Sequence, residues 1–432
     1  MSERYKLGLT RNRLFEFDNA VVFNGRFDFR KITLDKALKL LCIKEPILSA
    51  RIELENDGSA YAVTESVEQR VNWVQETKDE LIAQYEKNGM NFSLRAFEFS
   101  VSGDGFLVIA AHTALADAKA LLRLAGDLML FYNEPLSNIE PSKINLISQK
   151  TDLPLEVASP IIDRLSAELD MKWQKDAKAF GLSDYTEAKK TYDMNRAPSR
   201  EMKHDFSADD MIKMCEYCKK EMIDVVSLIG CAFYDSLVNN IHGKKKSNKM
   251  NVYADERLFF INHKDYGVGA YNGVVSASYK KKFKDADFNE KVKSFHLDCY
   301  KSTTSTFKVF YDDVLLMRVE PSLCDSAYMY KSGIFKSKAS KRLAENYSCD
   351  CRKLCDYFYC NLDQSFWENL KAFSDVGVKE PFKMRSATTL SFVIHNGSGG
   401  VSFRYRTDKC DDAVAKKIFD ESILTVKETV KI

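Results

Sequence analysis

The chain has 432 residues, of which 45% are hydrophobic and 12% aromatic, so it is long enough to bury two cores of ordinary domain size. Its 64 lysines and arginines almost balance its 62 aspartates and glutamates. Because the charges balance, the protein as a whole has no strong electrostatic field, and we therefore expect no nucleic-acid partner.

The N-terminus is polar and charged, without the apolar run of a secretory signal. The most apolar segment runs from Phe106 to Tyr132. Arg123 and Asp127 interrupt it, so it falls short of the roughly 18 uncharged apolar residues of a membrane span. We expect a cytoplasmic protein with no membrane span.

The N-terminal sequence predicts antiparallel strands mixed with helices. Asp18–Phe27 has the pattern of a strand, and a helix follows whose N-cap we predict at Thr33 and whose end we predict before Pro46. The Asp-Gly pair at Asp57–Gly58 predicts a first hairpin, and Ser102–Gly105 is typical of the turn of a second one.

The second hairpin leads directly into the most distinctive part of the sequence. Its return strand, Phe106–Ala111, is apolar throughout and is followed at once by His112. Helical spacing begins at about Ala118. A strand-to-helix junction of this kind is rigid and close to free N–H groups, which makes it a frequent place for chemistry.

A helix in the middle of the chain is predicted from its start signals. Ser159 followed by Pro160 is typical of a helix N-terminus, and we extend this helix to about Phe180, with Gly181 as its stop. Residues 182–200 have no clear period. We expect them to cross between two domains.

The second half of the sequence repeats the mixture of helices and strands. We predict a capped helix after Ser207, a strand within Met250–Phe260, a loop at Gly267–Gly273, an exposed turn at His395–Gly400 and a closing helix over Asp411–Val430. Hairpins are more frequent than regular strand–helix–strand units. The sequence therefore favours an α+β fold.

Eleven cysteines, an odd number scattered over a long chain, favour reduced thiols over a disulfide framework. Two groups raise the alternative of a zinc site, although their spacings do not form two zinc knuckles and we predict no metal. The groups are Cys215 with Cys218, and the cluster Cys349, Cys351, Cys355 and Cys360.

The segment His112-Thr113-Ala114-Leu115-Ala116-Asp117-Ala118 resembles the His-His-x-x-x-Asp-Gly signature of the chloramphenicol acetyltransferase-like superfamily, which includes condensation domains and alcohol acetyltransferases. His112 and Asp117 keep their places. The second His is replaced by Thr113 and the Gly by Ala118. Segments on both sides also resemble condensation domains, so the resemblance covers most of the chain.

This resemblance implies two acetyltransferase-like α+β halves, residues 1–185 and 186–432, in a V-shaped pseudo-dimer with a tunnel along the interface. It implies a thioester donor, either acyl-CoA or the phosphopantetheine arm of an acyl or peptidyl carrier protein, that enters from one face. A small alcohol or amine acceptor would enter from the other. No cofactor would be bound permanently, and a pseudo-dimer of this kind is expected to be a monomer.

The resemblance also implies roles for the residues of the motif. The missing second His is the general base for the acceptor, and a hydroxyl such as that of Thr113 is far too weak a base near neutral pH. His112 lies on the opposite side of a regular strand, so it is either a buried core histidine or a displaced catalytic group. Asp117 is expected to cap the helix and to pair with an arginine, for which Arg51 is the candidate. Ala118 is a candidate substrate-binding residue, and its added methyl group could narrow the tunnel.

Three residues of the second half are candidates for substrate binding. Arg257 falls where the alcohol acetyltransferase branch carries an arginine near the tunnel, and a surface ion pair is the equal alternative. Tyr271 and Asn272 either line the tunnel or belong to a plain turn.

Two functions therefore stay open. The first is an acyltransferase that works without the usual base, either because its acceptor is an amine that is already partly neutral or because substrate positioning supplies most of the acceleration. The second is a non-catalytic module that binds a carrier protein or partner enzyme.

Overall fold

The computed structural model describes residues 3–64, 67–135, 138–149, 152–157, 159–241, 249–260, 267–346, 354–381 and 388–432. Two large mixed sheets and one small three-stranded sheet make up its β structure. The helices formed by these residues are α1 (Lys31–Lys44), α2 (Lys78–Asn88), α3 (Ala118–Asn133), α4 (Pro160–Trp173), α5 (Leu182–Met194), α6 (Ala208–Glu221), α7 (Val225–Asn240), α8 (Phe288–Thr303), α9 (Thr306–Arg318), α10 (Pro321–Ser332), α11 (Lys338–Asn346) and α12 (Asp412–Val430).

The strands follow the same numbering in chain order. They are β1 (Arg4–Lys6), β2 (Ala20–Arg26), β3 (Arg51–Leu54), β4 (Ala60–Val63), β5 (Val71–Trp73), β6 (Phe97–Val101), β7 (Phe106–His112), β8 (Ser199–Phe206), β9 (Met250–Asp255), β10 (Asn272–Ala277), β11 (Cys355–Asn361), β12 (Val376–Lys379), β13 (Thr388–His395) and β14 (Ser398–Arg406).

The first large sheet has the strand order β12-β2-β7-β6-β5, and helices α2 and α3 pack on it. Strand β7 lies at its centre and is buried along its whole length, which explains why Phe106–Ala111 is continuously apolar. Antiparallel pairing of β2 with β7 sets Ala20 opposite His112. This register fixes the end of β7, where the candidate motif begins.

The second large sheet has the order β10-β9-β11-β13-β14-β8. Strand β11 runs parallel to both of its neighbours, whereas the other pairs in this sheet are antiparallel. Helices α6, α7 and α8 cover one side of it through contacts with strands β9, β10, β11 and β14. Each large sheet with its helices forms one α+β layer system, as the sequence predicts.

The two systems are joined by pairing and by buried charge. Strand β12 leaves the second half and adds to the edge of the first sheet, with Val378 opposite Phe23. Arg11 contacts Asp325 at 2.8 Å, and an ion pair of 3.0 Å joins Arg13 of the same turn to helix α9; all these side chains are buried. The halves are therefore packed as one body. We name the two buried ion pairs between them, Arg11–Asp325 and Arg13–Asp313, the charged seam.

Most of the predicted local elements are confirmed. Strand β2, the β3–β4 hairpin and the β6–β7 hairpin lie where the sequence puts them, and Gly58 has the positive φ of 81° that its turn requires. Ser207 and Asp411 are the N-caps of α6 and α12.

Three local predictions are wrong. Helix α1 begins at Lys31 with Arg30 as its N-cap, three residues before the predicted N-cap Thr33, which lies in the first turn. The N–H of Arg30 donates to the Tyr132 hydroxyl at 2.8 Å and so holds this earlier start. His395 is half-buried at the end of β13 rather than exposed, and its Nε2 lies 3.1 Å from the carbonyl oxygen of Leu370.

The third correction concerns the segment after α4. That helix ends at Trp173, and Gly181 is the N-cap of α5, where its N–H donates to the Asp184 carboxylate at 2.9 Å. Residues 182–200 are therefore mainly helical rather than irregular. The division between residues 185 and 186 falls inside α5 and stays a prediction.

Candidate functional site

His112 is the last residue of β7, and its ring is fully buried. Its Nδ1 accepts the N–H of Ala114 at 3.1 Å, so the neutral ring carries its proton on Nε2. Nε2 has no hydrogen-bond partner among the described residues, and the ring packs edge-on against Phe92 at 5.5 Å. Burial lowers the pKa of His112 to about 4, although the nearby Glu16 opposes this shift. The ring is neutral near pH 7.

Thr113, which the sequence resemblance places at the position of the missing base, has a side chain that is already hydrogen-bonded within the protein. Its Oγ1 donates to Oε2 of Glu16 at 2.8 Å, and its N–H donates to the carbonyl oxygen of Asn19 at 2.9 Å. Thr113 and Glu16 are 4% and 6% exposed. This buried pair ties the end of β7 to the segment before β2.

Asp117 combines the two roles that the sequence predicts for it. Its Oδ1 accepts the N–H of Ala120 at 2.8 Å and so caps helix α3, while its Oδ2 accepts the N–H of Tyr271 at 2.8 Å. The arginine partner is Arg257, whose Nη1 and Nη2 reach Oδ2 and Oδ1 at 2.9 and 3.1 Å. This bidentate ion pair crosses between the two halves.

The prediction that Arg51 pairs with Asp117 is wrong. Arg51 lies on β3 of the small sheet, is exposed, and forms an ion pair with Glu53 at 2.7 Å. Side chains two apart on a strand share a face, which brings this local partner within reach.

Arg257 is the most extensively bonded residue of the site. Besides Asp117, it contacts Asp255 at 3.2 Å and donates to the carbonyl oxygens of Gly267 and Gly269 at 3.3 and 2.8 Å. Its guanidinium also lies 4.9 Å from the centre of the Tyr271 ring. The two carboxylates raise the pKa of Arg257 against the effect of burial. Its guanidinium joins α3, the turn after β9 and the loop before β10.

The other three residues predicted to bind substrate form hydrogen bonds at the interface, and their role in substrate binding stays a prediction. The Tyr271 hydroxyl donates to the carbonyl oxygen of Asn145, and Oδ1 of Asn272 accepts from Arg13 at 2.5 Å. The N–H of Ala118 donates to the carboxylate of Glu380 at 3.0 Å, so a residue from the end of β12 covers the start of α3.

A cavity of about 700 Å³ lies between α3 and the second half, and we name it the α3 cavity. Residues of α3 form one wall, and residues of β11 and the turns around it form the other. Arg257 lines it, whereas His112, Thr113, Tyr271 and Asn272 do not. The lining consists of Lys119, Arg123, Gly126, Asp127, Asp255, Arg257, Leu258, Gly267, Tyr359, Cys360, Asn361, Gln364, Trp367 and Asn369.

The charged wall of this cavity is a feature that the sequence reasoning missed. Lys119, Arg123 and Asp127 lie four residues apart along α3, so they share one helix face. The sequence did contain a signal for this wall, because these three residues are half-buried charged positions in an otherwise apolar helix. Arg123 and Asp127 were considered only as interruptions of a membrane span.

Glu256 is a second residue that the sequence did not single out. It is completely buried beside the seam, and neither carboxylate oxygen has a hydrogen-bond partner among the described residues. Burial and the neighbouring Asp313 raise its pKa well above the usual range, while Arg13 opposes them. We infer a neutral carboxyl group within the charged seam.

The cysteines show no metal-binding arrangement where they can be placed. Cys215 is exposed and Cys218 buried on α6, while Cys355 and Cys360 are buried on β11. Cys349 and Cys351 lie outside the described residues. Within the described ranges, no group of three or more His, Cys, Asp or Glu side chains could hold a metal ion. In the same ranges, no helix has the length and apolar character needed to cross a membrane.

The structure resembles solved proteins over almost its whole length, although no protein-family model and no curated protein matches the sequence. The epimerization domain from the third module of tyrocidine synthetase B matches with a TM-score of 0.63 at 12% identity, covering 99% of this chain and 97% of that one. The trichothecene 15-O-acetyltransferase from Fusarium sporotrichioides gives 0.59 at 12% identity, with 99% and 95% covered.

A third similar structure is the cyclization-docking bidomain of the EpoB nonribosomal peptide synthetase from Sorangium cellulosum, with a TM-score of 0.64, 10% identity, and 99% and 85% of the two chains covered. At these identities the likeness concerns the fold. Together with the two sheet systems and the seam between them, it shows that this chain has the chloramphenicol acetyltransferase-like fold in the pseudo-dimeric form of condensation domains.

Proposed function

We propose that this chain is a condensation-like module that binds a thioester-bearing partner, such as an acyl or peptidyl carrier protein, without transferring the acyl group at its motif. One observation carries the proposal: Thr113 Oγ1 is held by the buried Glu16 at 2.8 Å. A general base must lie within about 2.6–3.2 Å of the proton that it removes. Thr113 is not basic, and its hydroxyl hydrogen points to Glu16.

His112 does not replace the missing base in this proposal. The lone pair of Nδ1 is occupied by the Ala114 N–H, and Nε2 carries the proton in the resulting tautomer. The lowered pKa of about 4 makes the ring a weak proton acceptor near neutral pH. Packing against Phe92 also leaves the ring fully buried.

The partner class comes from the likeness to synthetase domains. The matched proteins include an epimerization domain and a cyclization-docking bidomain of peptide synthetases. The synthetase domains among these neighbours work with carrier-protein domains. A module that kept this interface would hold the tethered group, and its interface would determine which partner is bound.

The α3 cavity favours a second candidate, an acyltransferase that works without a dedicated base. Its volume of about 700 Å³ lies within the range of ligand sites, about 300–1,000 Å³. It also borders Arg257, which binds Asp117 of the motif. In this candidate, acyl-CoA or a carrier-bound thioester donates to an alcohol or amine, and positioning supplies the acceleration.

Product analysis by mass spectrometry separates the two candidates. Acyl-CoAs from acetyl to long-chain are incubated with pooled alcohols and amines and with wild type, Thr113→Val or Thr113→His, beside an active acetyltransferase as positive control. The proposal expects no ester or amide from any variant. Product from wild type would establish the transferase. Product from Thr113→His alone would show an open channel that has lost its base, and it would also contradict the proposal that the motif is closed to substrate.

Binding is tested separately, because the absence of product in the transfer assay does not demonstrate that the protein binds a partner. The probe is a peptidyl carrier protein whose phosphopantetheine arm carries an acetyl group through a stable amide, and the matched control is the same carrier without the arm. Calorimetry should show binding that depends on the arm. Equal binding of both forms, or none, refutes the carrier role.

A further inference from the structure

The α3 cavity contains a cation that forms no ion pair with the described residues. Arg123 is half-buried on the cavity wall, with its guanidinium group close to the backbone of Gly267. It forms no hydrogen bond or ion pair with any residue in the part of the chain that the structure describes. Glu45 lies within the field of Arg123, but its carboxylate is buried and accepts the hydroxyl of Ser142 at 2.8 Å.

The other charges of the cavity are balanced by direct contacts. Lys119 lies 3.3 Å from Asp255, and Lys44, from outside the cavity, lies 2.8 Å from Asp127. Arg257 is held by Asp117 and Asp255. The lining itself contains three cations and two carboxylates. Among the described residues, Arg123 is the cation of this lining that forms no ion pair.

Apart from the ion pair of Arg257 with Asp255, the opposite wall carries no charged side chain among its described residues. Leu258, Tyr359, Cys360 and Trp367 present apolar or weakly polar surface, and amide side chains such as Asn361 and Gln364 lie between them. A cavity that combines a cation without an ion pair among the described residues, on one wall, with aromatic groups on the other fits an amphipathic molecule. Such a ligand would direct its anionic group at Arg123 and its apolar part at Trp367.

We propose that the α3 cavity binds an amphipathic small molecule with a carboxylate or phosphate group, which forms an ion pair with Arg123. Arginine suits both groups, because its planar guanidinium can donate two parallel hydrogen bonds. This inference goes beyond the proposed function and does not depend on acyl transfer, because the ligand is detected by binding. The site is distinct from Thr113, which does not line the cavity.

The direct test is calorimetry of wild type with four ligands of equal chain length: decanoate, decyl phosphate, decylamine and decanol. The two anions should bind at a stoichiometry near one, and the amine and the alcohol should bind far more weakly. The ratio of the two anions identifies the preferred headgroup. Equal binding of all four ligands, or no binding of either anion, overturns the proposal.

Two variants locate the ligand within the cavity. Arg123→Gln should weaken anion binding by about tenfold to a hundredfold, since a charge-assisted hydrogen bond is lost, while decanol binding is unchanged. The matched control is Arg164→Gln, which removes an exposed arginine on α4 and the same net charge. If both variants bind like wild type, Arg123 is not the contact and the proposal fails.

Filling the cavity gives an independent variant that should fold. A Cβ at Gly126 would come no nearer than 3.8 Å to Leu370, and both alanine and leucine favour helix over glycine. Gly126→Leu should therefore retain the fold and block anion binding, whereas Gly126→Ala should bind almost normally. Unchanged binding in Gly126→Leu would place the ligand elsewhere and refute the assignment.

Discussion

The ion pair between Arg257 and Asp117 makes the strongest quantitative prediction. These side chains are 11% and 2% exposed, and they are joined by two hydrogen bonds of 2.9 and 3.1 Å. Arg257→Met would leave the Asp117 carboxylate buried with only the N–H groups of Tyr271 and Ala120. Removing one partner of a buried pair costs about 3–5 kcal/mol of unfolding free energy.

The assay is urea denaturation followed by circular dichroism and tryptophan fluorescence, with the variants Arg257→Met, Asp117→Asn and the double substitution. The free energy of unfolding should fall less in the double variant than the sum of the decreases in the two single variants, because the two residues act as a unit. Arg51→Met is the matched control, since its exposed pair with Glu53 should contribute about 1 kcal/mol or less. A loss for Arg257→Met as small as that of Arg51→Met would refute the reasoning.

Three further predictions follow from burial. Thr113→Val should cost about 1–3 kcal/mol of unfolding free energy, because Glu16 loses a buried donor, and Thr113→Ser should restore most of it; equal midpoints of urea unfolding would contradict this. Because the folded pKa of His112 is about 4 and the unfolded value about 6.5, the unfolded chain binds the proton first between these values. Between pH 7 and pH 4, the free energy of unfolding should therefore fall by about 3 kcal/mol more in wild type than in His112→Asn. Parallel pH profiles of stability for the two proteins would contradict this. Iodoacetamide should label exposed Cys215 long before buried Cys231, whose thiol pKa is raised by burial, and peptide mass spectrometry showing equal rates would be inconsistent with the fold.

The predictable part of the fold is the part that local sequence determines. The caps Ser207 and Asp117 and the turn glycine Gly58 act on neighbours within a few residues, so their signals are visible in the chain. Helix α5 was missed because only Tyr185, Ala188 and Tyr192 form its buried stripe, and polar residues fill the rest. Gly181 was misjudged because glycine occurs at both ends of helices.

The contacts that define the site are non-local, and the sequence could not supply them. Glu16 meets Thr113 across 97 residues, and Arg257 meets Asp117 across 140. The nearer arginine, Arg51, was a reasonable candidate from the sequence, but its strand belongs to the small sheet. The motif could be located from sequence because one segment contains it, whereas its partners depend on how the two halves pack.

The central claim is that the motif is sealed and structural. Nuclear magnetic resonance of protein with ¹⁵N-labelled histidine tests it most directly, with the His112 signals assigned by loss in His112→Asn. A sealed His112 should give the signals of a neutral ring with its proton on Nε2, no titration between pH 5 and pH 8, and no shift when acetyl-pantetheine is added. Titration near pH 6.5, or a shift of the His112 signals on addition of the thioester, would show instead that the ring is accessible.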